Sequence, residues 1–195
     1  MNGLMEIINA RRAVRKYKNL AVEWRIINQL IDAGCMAPSG MNLQPWKFYV
    51  VTEKDLINKM DDQICVVVKE IYTEPHMIDF LKTKYAIFHG APVVIFITAP
   101  RENEWAALDI GMCSQNIMLA ARAVGLDTCP VGLGKFIERT SFYSQLQIPV
   151  SEHVLISLIV GYGDEKPAVH ERKKDIIFHV RAGVTEVSLS RETKN

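Results

Sequence analysis

The apolar run from Pro92 to Thr98 constrains the fold of this chain more than any other segment. A strand whose residues do not alternate between apolar and polar has no face for solvent, so it belongs inside a sheet covered on both sides. Further strand patterns run from Trp46 to Thr52 and from His153 to Tyr162, with helical patterns between them. The sequence therefore predicts an α+β sandwich with four or five strands. Residues 1–195 are expected to form a single domain, because no linker or repeat divides them.

The longest helical pattern, from Glu104 to Val124, is apolar around nearly its whole circumference. A chain of this size seldom buries so much of one helix by itself, so the pattern favours a subunit interface. The other helices are predicted from Leu4 to the arginines at 11–16, from Val22 to Met36, from Leu56 to Ile71 and, irregularly, from His76 to Phe88. A last strand is predicted at residues 174–180, before a polar tail.

The composition favours a protein with a small-molecule partner. The formal net charge is +1, so no field of one sign indicates nucleic acid or an anionic membrane as a partner. We expect a cytoplasmic protein, because the N-terminal residues do not resemble a signal peptide and no apolar run is long enough to span a bilayer. Cys35, Cys65, Cys113 and Cys129 fall in apolar segments without a CxxC pair, which predicts reduced core thiols. The histidines are scattered and indicate neither a metal site nor a nucleophilic triad.

The segment from Ala37 to Trp46, APSGMNLQPW, reads as a short loop between a helix and a strand. Pro38 ends the preceding helix, and Pro45 prevents a helical start before the strand. The hydrogen-bonding side chains of the loop are Ser39, Asn42 and Gln44. Such a loop indicates ligand binding, and the alternative is a well-made turn.

A basic cluster, RRAVRK, lies at the end of the first helical pattern and contains Arg11, Arg12, Arg15 and Lys16. Three guanidinium groups at this spacing can hold a phosphate dianion, because each donates two parallel, charge-assisted hydrogen bonds. The alternatives are a solvated basic helix end and a weak nucleic-acid contact.

The third motif, GLDTCPVGLGKF, runs from Gly125 to Phe136. A helix is expected to end at Gly125, and Gly132 and Gly134 are expected to bracket a turn between a short strand and another helix. Glycines at such a turn let backbone N–H groups approach a flat ligand. The motif matches neither a dinucleotide-binding fingerprint nor a phosphate-binding P-loop.

Taken together, RRAVR, APSGMNLQPW, the helix DIGMCSQNIMLAARAVGL with its TCPVGLG turn, and GYGDEKPA before HERKK resemble the FMN-dependent nitroreductase family. The resemblance spans nearly the whole chain. It implies a nitroreductase-like α/β sandwich, with a mostly antiparallel central sheet flanked by helices. It also implies an intertwined homodimer whose terminal segments reach over the partner.

The resemblance also implies an FMN site made of two half-sites. One protomer would bind the phosphate with Arg11, Arg15 and Arg172, with Lys173 as the alternative to Arg172. Arg12 and Ala13 would lie near the polar edge and the ribityl chain; family members usually have serine where this chain has Ala13, which leaves only the backbone there. The turn beneath the flavin would comprise Pro130, Val131, Gly132, Leu133 and Gly134. The other protomer would contribute Pro38, Ser39, Gly40 and Asn42, with Gln44 supporting the loop.

The reaction implied by the resemblance is a two-step exchange, in which NADH or NADPH gives a hydride to the flavin and a nitroaromatic, quinone or similar acceptor then receives it. The Gly132 and Leu133 N–H groups would lie near flavin N5 and O4, and the flavin itself would carry the chemistry. Lys82 or Lys84 is a candidate for stabilising the reduced flavin, with two solvated lysines as the alternative. Reductive dehalogenation, flavin fragmentation and non-catalytic FMN binding stay open as other functions.

Overall fold

The apolar run lies at the centre of a four-stranded antiparallel sheet, in a computed structural model that describes residues 3–173, 178–181 and 184–187. The strands are β1 (Lys47–Val51), β2 (Val93–Pro100), β3 (Asp127–Val131) and β4 (Glu152–Gly161). Their spatial order is β1-β2-β4-β3, and every neighbouring pair is antiparallel. This sheet confirms the predicted fold class.

Helices cover both faces of the sheet. They are α1 (Gly3–Ala10), α2 (Trp24–Cys35), α3 (Lys54–Ile71), α4 (Pro75–Phe80), α5 (Ala106–Ala123) and α6 (Phe142–Gln145), with 3₁₀ helices at Gly40–Asn42 and Gly132–Arg139. Because side chains alternate along a strand, Val94 and Phe96 of β2 enter the core beneath α3, while Val93 and Ile95 enter the core beneath α2 and α5. The prediction that this strand is buried on both faces is therefore confirmed.

The C-terminal residues that the structure describes form a separate antiparallel pair, β5 (Phe178–Arg181) and β6 (Val184–Val187). The strand predicted at 174–180 agrees with β5 from residue 178 onward. Its first residues and the polar tail from residue 188 lie outside the described residues.

The first helix is shorter than predicted, because α1 ends at Ala10 and the arginine segment after it is extended. Ala13 forms a parallel bridge with Thr128 of β3, and the Val14 N–H donates to the Thr128 carbonyl at 3.0 Å. Val14 is buried, so pairing with the sheet edge satisfies the backbone and removes an apolar side chain from water. The arginines therefore extend along the edge of the sheet instead of ending a helix.

The irregular helix predicted from His76 to Phe88 is also shorter, since α4 ends at Phe80. The chain beyond it is held by Asp61, a buried residue of α3, whose carboxylate accepts the backbone N–H groups of Ile87 and Phe88. Side-chain competition for these N–H groups replaces the helical hydrogen bonds that the sequence pattern suggested.

The α5 helix has a second apolar face that a single chain leaves exposed. Leu108 is 62% exposed and Met112 is 39% exposed. Helix α1 packs against α5, has no buried residue of its own, and exposes Leu4, Met5 and Ile8 beside it. We name these five residues the α1–α5 surface. The apolar circumference predicted from the sequence is real, but one chain buries only one side of it.

Three of the four cysteines, Cys65, Cys113 and Cys129, are buried free thiols as predicted, whereas Cys35 is exposed. The prediction of a core position was wrong for Cys35 because it is the last residue of α2, beyond Gly34, which packs against Ile117. Among the described helices, none is both long enough and apolar enough to cross a membrane.

A buried carboxylate, Glu152, joins three strands at one end of the sheet. Its side chain pairs with Lys47 of β1 and accepts the hydroxyl of Thr98 of β2 at 2.6 Å, although the residue is only 3% exposed. Burial raises the pKa of this carboxyl, but the hydrogen bonds from Lys47 and Thr98 outweigh burial and hold the pKa below its ordinary value.

We predict that Glu152→Gln lowers the free energy of unfolding at pH 7 by about 1.5–3 kcal/mol, because hydrogen bonds to a charged group are lost. A depressed folded pKa stabilises the protein above the unfolded pKa, and this stability is lost as the pH falls through the folded value. The variant should therefore show a smaller loss of stability than the wild type between pH 7 and pH 4 in urea unfolding. Glu23→Gln, at an exposed position before α2, is the control and should match the wild type at both pH values. Equal acid sensitivity of Glu152→Gln and the wild type would contradict the prediction.

Candidate functional site

Four predicted cations meet in one cavity of about 630 Å³. Arg11 and Arg12 line it from the segment after α1, and Arg172 and Lys173 line it from the segment after β4. No carboxylate lies in the described lining, so the positive charge is not neutralised from within. This donor set suits a phosphate dianion, because guanidinium groups bind phosphate oxygens in pairs. We name it the Arg11 cavity.

Arg12 lines this cavity, but part of its guanidinium group is hydrogen-bonded to backbone carbonyl groups. Its Nη1 donates to the carbonyl oxygens of Asn9 and Arg11 at 2.6 and 2.7 Å. These bonds satisfy carbonyl groups at the end of α1, as a basic side chain often does after a helix. Compared with Arg12, Arg11 and Arg172 therefore have more hydrogen-bond donors available for a ligand.

Arg15 does not line the Arg11 cavity, although the sequence resemblance grouped it with Arg11 and Arg172. In an extended chain its Cα lies about 13 Å beyond that of Arg11. Its backbone N–H donates to the carboxylate of Glu165. Burial raises the pKa of the Cys129 thiol, and the charges of Arg15 and Arg11 partly oppose this shift.

The sequence motifs did not reveal His89, whose imidazole is affected by the charge of Arg15. Its ring is half-buried and lies edge-on to Phe80, with 6.3 Å between the ring centroids. Burial lowers the pKa of this imidazole, and nearby Arg15 lowers it further, while Glu165 opposes the shift. The backbone of His89 has a positive φ of 53°, which is uncommon for a residue other than glycine. The residue pattern of the segment before β2 does not predict this conformation.

The two candidate lysines of that link are exposed. Lys82 pairs with Asp79 at 2.8 Å, and the Lys84 ammonium lies 4.7 Å from the centre of the Tyr85 ring. Both contacts are on the surface, which agrees with the alternative of two solvated lysines. A flavin contact from either one stays a prediction.

The loop predicted to bind a ligand satisfies its own polar groups in a single chain. Ser39 Oγ accepts the Gln44 N–H at 2.9 Å, and Gln44 Nε2 donates to Asn42 Oδ1 at 3.0 Å. Met41, Asn42 and Gln44 have positive φ angles of 49°, 56° and 44°. Non-glycine residues in this region are strained, and strain of this kind concentrates at functional sites. Pro38 and Pro45 flank the strained stretch.

Asp109 anchors this loop to α5 and was not singled out from the sequence. The residue is 3% exposed, and its Oδ1 accepts the Gly40 N–H at 3.2 Å. Its other oxygen, Oδ2, is buried without a hydrogen-bond partner among the described residues. The sequence signal was an acidic residue in the first turn of an otherwise apolar helix. Acidic residues are also common there because they interact favourably with the helix dipole, so the signal was not specific.

Of the two glycines in the turn after β3, Gly134 is packed against the sheet, whereas Gly132 has open space beside it. Gly132 and Gly134 lie in the first turn of the 3₁₀ helix, instead of bracketing a turn before a helix as predicted. A Cβ on Gly134 would lie 2.0 Å from Ser157 Oγ, whereas a Cβ on Gly132 would meet nothing within 4 Å. The chain turns into a helix at once because Gly134 packs directly onto β4. Pro130, Val131 and Leu133 complete the predicted segment around the open Gly132.

The loop and the turn lie at the same end of the sheet but at opposite edges. The loop leads into β1 and the turn follows β3, and the order β1-β2-β4-β3 places these as the two edge strands. Three strand spacings separate the edges by about 14 Å. Residues 38–44 do not line the Arg11 cavity within the described part of one chain.

Neither a metal site nor a disulfide competes with this interpretation in the part of the chain that the structure describes. It contains no group of three histidine, cysteine or acidic side chains that could hold a metal ion. Cys129, next to the turn, is buried and its raised thiol pKa keeps it protonated at neutral pH.

Comparison with known proteins finds a matching family, similar sequences and a similar solved structure. The model of the Nitroreductase family matches residues 8–162. A putative NADH dehydrogenase/NAD(P)H nitroreductase from Methanothermobacter thermautotrophicus is 27% identical, and the match covers 86% of this chain and 81% of that protein. A 4-nitrobenzoate reductase from Pseudomonas putida is 26% identical, with 84% and 87% covered. The crystal structure of a nitroreductase with bound FMN from Desulfitobacterium hafniense superposes with a TM-score of 0.84 at 25% identity, covering 93% of this chain and all of the other.

The two glycines of the turn provide a matched test. Gly134→Ala should lower the free energy of unfolding by about 1–3 kcal/mol, because the added methyl group overpacks against Ser157. Gly132→Ala should leave the unfolding curve unchanged, because its methyl group enters open space, yet it should weaken FMN binding in fluorescence titration if the flavin lies against Gly132. Unchanged FMN affinity in Gly132→Ala would exclude Gly132 from the flavin site.

Proposed function

The chain belongs to the nitroreductase family, and on that premise we propose that it is an FMN-dependent oxidoreductase that uses NADH or NADPH to reduce a nitroaromatic, quinone or similar organic acceptor. The observation that carries the proposal is the convergence of Arg11, Arg172 and Lys173 on one cavity without a carboxylate. The names of the relatives and the FMN in the D. hafniense structure support it.

The residues present fit FMN along its length. Arg11 and Arg172 would hold the phosphate, and the segment through Ala13 would run beside the ribityl chain toward Arg15. Arg15 would then lie at the pyrimidine edge, and the hydrogen bond from its backbone N–H to Glu165 would fix the backbone there. The open side of Gly132 leaves room for a flat ring against the backbone. When bound, FMN supplies the hydride transfer between the nicotinamide and the acceptor.

The contribution of the protein is binding, orientation and charge. A guanidinium beside the pyrimidine edge would stabilise negative charge there, which is the role proposed for Arg15. Burial raises the pKa of the Cys129 thiol, which favours its protonated, less nucleophilic form. The lowered pKa of His89 favours a neutral imidazole at neutral pH. We therefore propose no side chain of the protein as a catalytic residue.

A homodimer completes the site in this proposal. The strained loop at the β1 edge and the Arg11 cavity are separated within one chain, so the loop of one protomer would complete the flavin pocket of its partner. The α1–α5 surface would contribute exposed apolar side chains to the dimer interface. A single domain in each protomer stays part of this proposal, and it is supported by the two apolar cores of the described residues, which are built on the same sheet.

The purified protein should be yellow and release FMN on heating, because its cations suit a terminal phosphate. In stopped-flow mixing, NADH or NADPH should bleach the flavin absorbance, and a nitroaromatic or quinone should restore it without oxygen. FAD in place of FMN would overturn the cofactor assignment. Bound FMN that neither donor reduces would favour a non-catalytic flavoprotein, and reduction without transfer to these acceptors would favour other flavin chemistry.

Mixed dimers test the shared site. Arg11→Ala should weaken FMN binding by about 1.5–3 kcal/mol through loss of a charge-assisted bond, and Asn42→Asp should weaken it by placing a negative charge beside the flavin. When the two variants are refolded together, one pocket of each heterodimer carries both changes and the other carries neither. Reductase activity should therefore return in the mixture. A monomer in sedimentation, or heterodimers without recovered activity, would contradict the shared pocket.

A further inference from the structure

A second cationic cavity, of about 450 Å³, lies along the 3₁₀ helix and shares no lining residue with the Arg11 cavity. Its charged lining consists of Arg101, Lys135, Glu138 and Arg139, and His153 lies beside them. We name it the Arg139 cavity. None of these side chains has a part in the flavin site proposed above.

The one carboxylate in this lining, that of Glu138, already has hydrogen-bond partners. Glu138 accepts Arg101 Nη2 at 2.7 Å and also accepts the backbone N–H of Val154. Arg101 is thereby neutralised and held, and its Nε also donates to the Val150 carbonyl at 3.0 Å. Within the described residues, Lys135 and Arg139 have no carboxylate partner, so the cavity keeps about two positive charges.

His153 adds an unsatisfied donor or acceptor to the same cavity. Its Nε2 is buried and has no hydrogen-bond partner among the described residues. A buried polar atom without a partner costs free energy, so such an atom indicates a missing ligand or water. When Nε2 carries a proton, it can donate a hydrogen bond to an oxyanion.

The geometry of the 3₁₀ helix connects this cavity to Gly132. Side chains three residues apart eclipse one another in such a helix, so Gly132, Lys135 and Glu138 share one row. The row of Gly134 and Ile137 is buried against the sheet. At about 2.0 Å per residue, Lys135 lies about 6 Å and Arg139 about 14 Å along the axis from Gly132. The open face of the helix therefore runs from the proposed flavin contact to the cationic cavity.

The geometry points to the Arg139 cavity as the binding site for the 2′-phosphate of NADPH. This inference rests on the proposed function, in which the flavin lies against Gly132 and the nicotinamide stacks on the flavin. The adenosine end of the same dinucleotide then extends along the open row of the helix. Arg139 forms the bidentate pair with the phosphate, Lys135 adds a point charge, and His153 donates from its buried nitrogen. NADH lacks this phosphate, so the cavity selects NADPH.

The test variant is Lys135→Ala/Arg139→Ala in the FMN-loaded protein. Loss of even one charge-assisted bond corresponds to about tenfold or more in affinity, so KM for NADPH should rise by at least that factor. KM for NADH should stay within about twofold, because NADH makes no phosphate contact there. Arg25→Ala/Lys59→Ala removes the same two charges from exposed positions on α2 and α3 and should match the wild type with both donors. Arg139→Ala alone serves as a second variant, with thermal unfolding to verify folding.

Calorimetry gives a readout that is independent of turnover. The wild type should bind 2′,5′-ADP at least tenfold more tightly than 5′-AMP, and the double variant should lose this difference. Inorganic phosphate binding as tightly as 2′,5′-ADP would show a free-phosphate site and overturn the inference. Equal use of NADH and NADPH, with no selective binding of 2′,5′-ADP, would overturn it while leaving the proposed function intact. Selective binding of 2′,5′-ADP without flavin reduction by either donor would overturn both the donor role of the cavity and the proposed function.

Discussion

The burial of β2 on both faces is the constraint on which the rest of the structure depends. Its side chains alternate between two cores, so helices are required on both sides of the sheet. Its backbone is paired with β1 on one side and β4 on the other, which leaves β1 and β3 as the edges. The segments attached to those edges are the strained loop and the Gly132 turn. The central strand thus keeps the loop and the turn of one chain apart, and in the proposed dimer these two segments belong to two different flavin sites.

The edge of β3 organises the cationic half of the site. By pairing with Thr128, the segment at Ala13 and Val14 gives up helical hydrogen bonds and becomes extended. Arg11 and Arg15 are consequently spread along a line instead of being gathered on one helical turn. A spread arrangement fits a long ligand with a phosphate at one end and a polar ring edge at the other. Glu165, which binds the Arg15 backbone, ties this line to the chain that carries Arg172.

Buried or partly buried carboxylates hold the irregular segments around this frame. Asp61 binds the backbone before β2, Asp109 binds Gly40 of the loop, and Glu138 binds the backbone of β4. Each removes an acidic group from water and recovers part of that cost through N–H donors that would otherwise be unpaired. The positive φ angles at Asn42 and His89 occur in two of the segments held in this way. Strained backbone at these positions is sustained by the packed structure around it, as expected for residues held ready for a ligand.

The sequence by itself determined the fold class, the inner position of β2, the family, and the identity of the three motifs. These features depend on local patterns, on the order of motifs along the chain, and on residue types such as arginine and glycine, which one segment can display alone. Only the tertiary structure decided that the arginines are extended, that Gly132 is open while Gly134 is packed, and that Asp109, Glu165 and His89 lie against the motifs. It also decided that Arg139, Lys135 and His153 share a cavity. Each of these facts is a contact between residues far apart in sequence, created when strands pair and helices pack, and no local pattern encodes a distance between distant segments.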